Sequence, residues 1–381
     1  MVTLSAVGAS RAALSKPRVL FAPVTVTPSK PLTPSHLKGL LWTDIAYRAT
    51  AQVADVDYRC SHTTYFRTEQ TLGFWEFLDR TVGDTDYSGL TEERIGELYV
   101  RQKRAPRASA DALRPYADAV EQCGWVHPAT ARVLELWTAH YRRLGLYDHG
   151  LTLHQPPGFC LAEALDWLVA KGMCLDQREL GGPVYLDLTR SGLPLRQIVT
   201  ADGRPNYLAC ALRELLPLAA DYDEVVLLYD TELDPDYQLL ARVLGNAGPR
   251  VRRMPIGRMP IDGRIRSARH GDWQGYTASS LLAAVADADD EAVRLGVRLY
   301  FVATLGPGQR QSYRLDLLHQ CVLRAQRLLT AAPAMADASV AERVGRHRRD
   351  HVYVDPYRLT SSLLARRRPT PARDLLSAVF L

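Results

Sequence analysis

RVLFAPVTVTPSKPLTPSHLKGLLWTDIAYRATAQV, residues 18–53, is the stretch on which the fold turns. Its first nine residues are β-rich with Pro23 near their middle, which predicts a short strand running out into a loop. The loop, TPSKPLTPS, is dense in proline, serine and threonine. Leu37, Leu40, Leu41 and Ile45 then fall at helical spacing, with Thr33 placed to cap the helix and Pro34 to begin it. Strand, loop and helix N-terminus in that order open a nucleotide-binding α/β unit.

Downstream, residues 55–150 carry little strand character. Val133, Leu136, Trp137, His140, Tyr141 and Leu144 form one face of an amphipathic helix, and the charge-rich RQKRAPRASAD (101–111) reads as an exposed loop or helix start. From Leu161 an apolar-periodic helix runs to a natural stop at Gly172. β-type segments follow at PVYLDL (183–188) and RQIVT (196–200), then a helix at NYLACALRELLPLA (206–219) and a buried-strand run, EVVLLYD (224–230). A helix ending at Gly245 and a strand at RVRRMPI (250–256) complete the pattern. Strands alternating with helices predict a parallel, doubly wound sheet. Past Ala278 the chain is helical again, with arginine-rich stretches HRRDH (347–351) and ARRRP (365–369). The expected fold class is α/β: a Rossmann-like core in two halves, 1–54 and 161–290, a mainly helical insertion at 55–160, and a helical segment at 291–381.

The 381 residues suffice for one large domain or two ordinary ones. With 47% hydrophobic and 23% charged residues, the chain belongs with globular proteins and not with disordered ones. A net charge of +5, from 47 basic against 42 acidic residues, suits the handling of anionic phosphates without arguing for nucleic acid. Six cysteines (Cys60, Cys123, Cys160, Cys174, Cys210, Cys321) include no C-x-x-C pair, so buried free thiols are expected, and no metal site or disulfide framework. No apolar run reaches the roughly 18 residues of a membrane span. The first 19 residues lack the apolar stretch of a signal peptide. No membrane association and a cytoplasmic location are the expectations.

Within the opening unit, Lys30-Pro31-Leu32-Thr33-Pro34-Ser35-His36-Leu37-Lys38-Gly39 lies where backbone N–H groups and the helix dipole favour a phosphate. Lys30 and His36 flank that terminus and could stabilise a triphosphate. On spacing alone the plainer alternative is the better one: a proline-rich strand-to-helix loop capped by Thr33.

K-P-L-x-x-x-H-L-K-G resembles the signature of arginyl-tRNA synthetases, in which a lysine and Pro-Leu precede the class I HIGH tetrad. The tetrad here is Thr33-Pro34-Ser35-His36. Its last histidine is kept, its first is Thr33, and the glycine against which adenine lies is Ser35. Three more stretches follow in the family's order. Residues 184–214 resemble a Leu-Asp-Leu strand leading to Asp-Gly-x-x-x-Tyr-x-Thr-Arg-Asp, with Asp202, Gly203 and Tyr207 retained and the last three replaced by Ala209-Cys210-Ala211. MPIDGRIRSARHGDWQGYTASSLL (259–282) is similar to the family's KMSKS loop through Asp262, Gly263, Arg269 and Gly271. Residues 267–271 would be its phosphate loop and 273–276 an insertion. Residues 295–329 resemble the helical stem that follows. The four motifs, each degenerate but in the right order, cover about 19–48 and 161–329. They imply a class I synthetase core, closest to the arginyl enzymes.

The resemblance implies ATP and Mg2+ as cofactors. Lys30, His36 and Arg269 are the implied catalytic residues, and Thr33, Ser35, His36, Ser267 and Gly271 the implied ATP contacts. Ala22, Asp202, Tyr207 and Ala211 fall on the amino-acid side. Two carboxylates that serve arginine in the family fall on Ala22 and Ala211. Leaving a buried guanidinium without a charged partner costs on the order of 3–5 kcal/mol, so arginine is not the expected substrate. About fifty residues follow the stem, too few for the family's anticodon-binding domain, and ordinary tRNA charging is therefore not expected. The implied partners are an amino acid and a small-molecule or tRNA acceptor, in specialised biosynthesis. Alternatives are a catalytically dead paralogue that binds nucleotide, amino acid or tRNA, and a tRNA-binding module. His347 and His351 lack the glutamate of a zinc motif and read as a surface helix, and Cys210 reads as a buried structural thiol.

Overall fold

Alternate residues of the first strand, β1 (Arg18–Pro23), face two different cores: Val19 and Phe21 enter one, Leu20 and Ala22 the other. The run EVVLLYD divides in the same way, Val226 and Leu228 against Val225, Leu227 and Tyr229. A strand covered on both faces needs apolar residues at every position, which is why both segments read as continuous runs. The computed structural model describes residues 16–265, 271, 273–308, 311–365 and 370–381.

In chain order, β1 is followed by α1 (Pro34–Ala51) and β2 (Asp55–Tyr58). A helical insertion comes next: α2 (His62–Phe66), α3 (Glu69–Thr81), α4 (Glu92–Arg104), α5 (Ala110–Cys123) and α6 (Pro128–Leu144). Then come α7 (Leu161–Ala170), β3 (Cys174–Asp176), β4 (Val184–Leu186), β5 (Arg196–Val199), α8 (Tyr207–Ala219), β6 (Glu224–Asp230), α9 (Asp234–Gly245) and β7 (Arg250–Ile256). The chain ends in α10 (Ala278–Ala284), α11 (Asp290–Arg298), a π-helical stretch (Leu299–Thr304), α12 (Leu315–Ala331), α13 (Val340–Gly345), α14 (Pro356–Ser362) and α15 (Arg373–Val379). No helix among the described residues is long and apolar enough to cross a membrane.

Four strands form a parallel sheet ordered β2-β1-β6-β7. β1 leads to β2 on one side and β6 to β7 on the other, so the strand order reverses between β1 and β6. Open α/β sheets place their ligand crevice at that reversal, outside the carboxyl ends of the strands. α1 covers one face through Leu37, Leu41 and Ile45, while α8 and α9 cover the other through Leu208, Leu212, Leu240 and Val243. This is the doubly wound arrangement the alternating pattern predicts.

Three readings are corrected. Asp55–Tyr58, inside the stretch read as helical, is an edge strand; D-V-D-Y alternates exposed with half-buried positions and lacks the apolar run of a central strand. PVYLDL and RQIVT do hold strands, but with β3 they form a separate antiparallel sheet, β3-β4-β5. Strands of three or four residues carry too little pattern to reveal which sheet they join. HRRDH is not a helix: α13 ends before it, and His351 is buried with its ring stacked on Tyr353 at 3.7 Å. The charged piece 101–111 closes α4 and opens α5, whose N-cap is Ser109.

A buried ion pair ties the C-terminal helices to the core. Arg298 on α11 is fully buried and donates to the Asp44 carboxylate of α1 and to the carbonyls of Leu144 (2.8 Å) and Gly145 (3.0 Å). Asp44 also accepts from Arg48 (2.9 Å) and from the Tyr147 N–H (2.8 Å). Removing either partner strands a charge in the interior, at a cost of about 3–5 kcal/mol.

Candidate active site at the strand-order reversal

The crevice expected from the strand order is there. A cavity of about 450 Å³ opens at the carboxyl ends of β1 and β6. Residues 23–27, the first turn of α1, residues 228–230 and residues 256–258 wall it, and Lys30, Thr33, Ser35 and His36 all line it.

The start of α1 fixes the state of His36. Thr33 is extended, Pro34 begins the helix, and the His36 ring turns back on this cap. Its Nδ1 lies 3.1 Å from the Thr33 N–H and 3.2 Å from Thr33 Oγ1. A backbone N–H can only donate, so Nδ1 is the unprotonated nitrogen and Nε2 carries the hydrogen. Burial pushes the His36 pKa down to about 3, and the charges of Lys30 and Arg258 add to the effect. At neutral pH His36 is therefore an uncharged N–H donor in the cavity wall.

Lys30 is only 6% exposed, and its ammonium lies 5.1 Å from the ring centroid of Tyr99 on α4. α4 can press this close because residue 96 is glycine. A Cβ there would sit 2.7 Å from Pro31 Cδ and 2.9 Å from the buried ring of Trp273.

Ser35 works differently from the glycine it stands for. Its Oγ accepts the Met259 N–H at 3.0 Å, fastening the first turn of α1 to the segment after β7. Lys38 fastens the same segment again, donating to the carbonyls of Gly257 (3.0 Å) and Gly308 (2.7 Å). Burial lowers the Lys38 pKa to about 8, against the pull of Asp230.

Arg258 also lines the cavity, its guanidinium paired with Asp230 and, at 2.8 Å, with Glu232. Sequence reasoning did not single it out. Nothing within a run of arginines marks it; its place two residues past the end of β7 does.

At the other end, Tyr207 donates its hydroxyl to the Thr25 carbonyl at 2.6 Å and stacks on Tyr65 with centroids 4.3 Å apart. Asp202 does not line the cavity. It holds a tight turn, accepting from Thr200 Oγ1 and pairing with Arg204 at 2.7 Å. Arg204 does line the cavity and pairs with Glu69, another wall residue, at 3.4 Å.

Ala22 and Ala211 are both buried in the core shared by β1 and α8 and are not wall residues. Cys210 beside them is buried, and burial pushes its thiol up to about 12, as suits a structural role. Ser267 and Arg269 lie outside the described residues. Gly271 has a left-handed φ of 85° and sits beside Val100 of α4, apart from the cavity wall.

No family model and no curated protein matches the sequence. Solved structures do match. An arginyl-tRNA synthetase from Thermus thermophilus is similar with a TM-score of 0.59 and 15% identity, over 97% of this chain and 80% of that one. Arginyl-tRNA synthetase from Plasmodium falciparum is similar with a TM-score of 0.56 and 10% identity, over 84% of this chain and 58% of that one. At these identities the likeness is one of fold, and at that level it agrees with the four ordered motifs.

Proposed function

We propose that this chain, whose fold is that of an arginyl-tRNA synthetase-like core, is an ATP-dependent ligase that activates an amino acid other than arginine. The amino-acid carboxylate would attack the α-phosphorus of ATP, an oxygen–phosphorus bond forming as the bond to pyrophosphate breaks. The acyl-adenylate would then pass its acyl group to an amine or hydroxyl of a small molecule or tRNA. Negative charge grows on the leaving phosphates, and the protein's part is to position the reactants and meet that charge.

The observation that carries this reading is the state of His36 beside Lys30 and Arg258. A neutral N–H donor can bond a phosphate oxygen and keeps that form across neutral pH, while the Lys30 ammonium supplies positive charge. All three stand at the crevice where strand order places a ligand. Mg2+ bound with ATP would add charge neutralisation; Asp230, paired with Arg258, is the carboxylate that lines this end.

The acyl end supports a neutral amino acid. Its wall carries Thr25, Thr27, Thr68, Gln70 and Tyr207, and the Glu69 carboxylate there is already engaged by Arg204. A second reading, binding without catalysis, draws on Thr33: the residue in the place of the first HIGH histidine commits its hydroxyl to His36.

ATP–pyrophosphate exchange across the standard amino acids tests both. Exchange with a neutral amino acid, abolished by Lys30→Ala, is expected. Strong exchange at micromolar arginine would overturn the substrate class, and no exchange with any amino acid would leave only the binding role.

A further inference from the structure

Cys60, His62 and His149 meet behind the cavity wall, outside the machinery assigned above. Their ligand atoms all lie within 4.8 Å of one another. Cys60 follows β2, His62 opens α2, and His149 lies in the link between α6 and α7, so three segments distant in sequence converge. Cys60 and His62 are buried, and the His149 ring stacks on Tyr58 at 5.0 Å.

The ring nitrogens at this point are conspicuous. Both nitrogens of His149 and Nδ1 of His62 are buried without a hydrogen-bond partner among the described residues. Each such group costs about 1–3 kcal/mol unless something binds it. Burial holds both rings neutral, with His62 pushed down to about 3 and His149 to about 4. Neutral imidazole is the form that binds metals.

The surroundings hold these residues in place. The Asp148 carboxylate accepts the N–H groups of Gly150 and Leu151, each at 2.9 Å. The Gln155 amide donates to the His149 carbonyl at 2.6 Å, and the Ser61 hydroxyl donates to the Gln155 carbonyl. The loop bearing His149 is thereby stapled to the start of α2, next to His62. Behind Cys60, Thr25 Oγ1 lies 3.4 Å from the sulfur.

We propose that Cys60, His62 and His149 form a zinc site, with a water as fourth ligand. One thiolate and two imidazoles are a donor set zinc accepts. Bonds of 2.0–2.3 Å at tetrahedral angles put ligand atoms roughly 3.3–3.7 Å apart, so the side chains close in by about an ångström on binding. The Cys60 thiol releases its proton to solvent as the sulfur–zinc bond forms. The ion ties β2, α2 and the α6–α7 link together behind Thr25, the residue whose carbonyl holds Tyr207.

The test uses the full chain, purified without chelator or polyhistidine tag. Elemental analysis is expected to find one zinc per chain. Co2+ added to the metal-stripped protein is expected to give thiolate charge-transfer and tetrahedral ligand-field absorption. Cys60→Ser removes the charge-transfer band. His149→Ala, on a loop, keeps the native circular dichroism and weakens Co2+ binding by more than the roughly 10–100-fold typical of losing an outer-shell partner. A wild-type chain that takes up neither zinc nor Co2+ overturns the proposal, and so does a His149→Ala chain that binds Co2+ like the wild type. If Cys60→Ser does not fold, the His149 variant decides. No step of the test measures amino-acid activation, so its outcome is independent of the proposed ligase activity.

Discussion

At the α1 end of the cavity Lys30 and His36 stand at a helix N-terminus beside the Arg258–Asp230–Glu232 cluster, whereas at the Tyr207 end the polar groups are turned onto one another. Asp202 holds Thr200 and Arg204, Arg204 holds Glu69, and Tyr207 holds the Thr25 carbonyl. The first arrangement presents donors to an anion. The second presents shape and aromatic surface with its charges already satisfied. Recognition by shape discriminates weakly, about 1–3 kcal/mol per methylene, so activation of several neutral amino acids of similar size is expected.

If the phosphate end works as described, Lys30→Ala has the largest effect. Loss of one preorganised charge-stabilising group costs roughly 10²–10³-fold in rate, read as pyrophosphate exchange. His36→Ala follows at roughly the lower of those values. Because His36 gains a proton only near pH 3, the wild-type rate shows no limb from this residue between about pH 5 and 8. An acidic limb near pH 6.5 that vanishes in His36→Ala would show that it titrates normally.

Stability should respond to acid with a definite sign. The unfolded chain takes up protons at His36, His127 and His351 near 6.5, whereas burial lowers all three in the native chain, His36 to about 3. Their contribution is whole above pH 6.5 and is lost as the pH falls through that window, by up to about 1.4 kcal/mol per residue and pH unit. Glu214 acts oppositely. Burial raises it from 4.5 to about 7 although Arg59 pulls it down, so its contribution is present at low pH and lost as pH rises through 7. Three histidines outweigh one carboxyl, and the urea midpoint is expected to fall between about pH 7 and pH 5.

Smaller effects probe the acyl end. Tyr207→Phe removes one half-buried hydrogen bond, worth about 0.5–1.5 kcal/mol in denaturant unfolding, and should raise the KM for the amino acid more than that for ATP. Arg204→Ala releases Glu69 and should improve arginine activation by a few-fold at most, since Ala22 and Ala211 still offer no carboxylate. A large gain would show that the Arg204–Glu69 pair alone excludes arginine.

The long elements of the core were legible because each carries a complete pattern. α1 shows its cap and first position at Thr33 and Pro34, β6 is a continuous apolar run, and α9 stops at Gly245. β2 and β3 were not, being three- and four-residue edge segments of mixed polarity. Within the site, Lys30, Thr33, Ser35, His36 and Tyr207 line the cavity, while Ala22, Asp202, Ala211 and Gly271 do not. Arg258 and Glu69 are brought in by the order of the strands and the packing of the insertion, which local spacing does not encode. The Cys60, His62 and His149 cluster is of the same kind, its third member reached only by closing the whole insertion.

Lys38 brings Gly257 and Gly308 to one ammonium, so the roughly fifty residues between them begin and end at a single point. The entropy of closing such a loop grows only with the logarithm of its length, and doubling it adds about 0.6 kcal/mol. Length changes are therefore tolerated in the parts of this excursion outside α11 and the π-helical stretch, which pack into the core, while the sheet keeps its register.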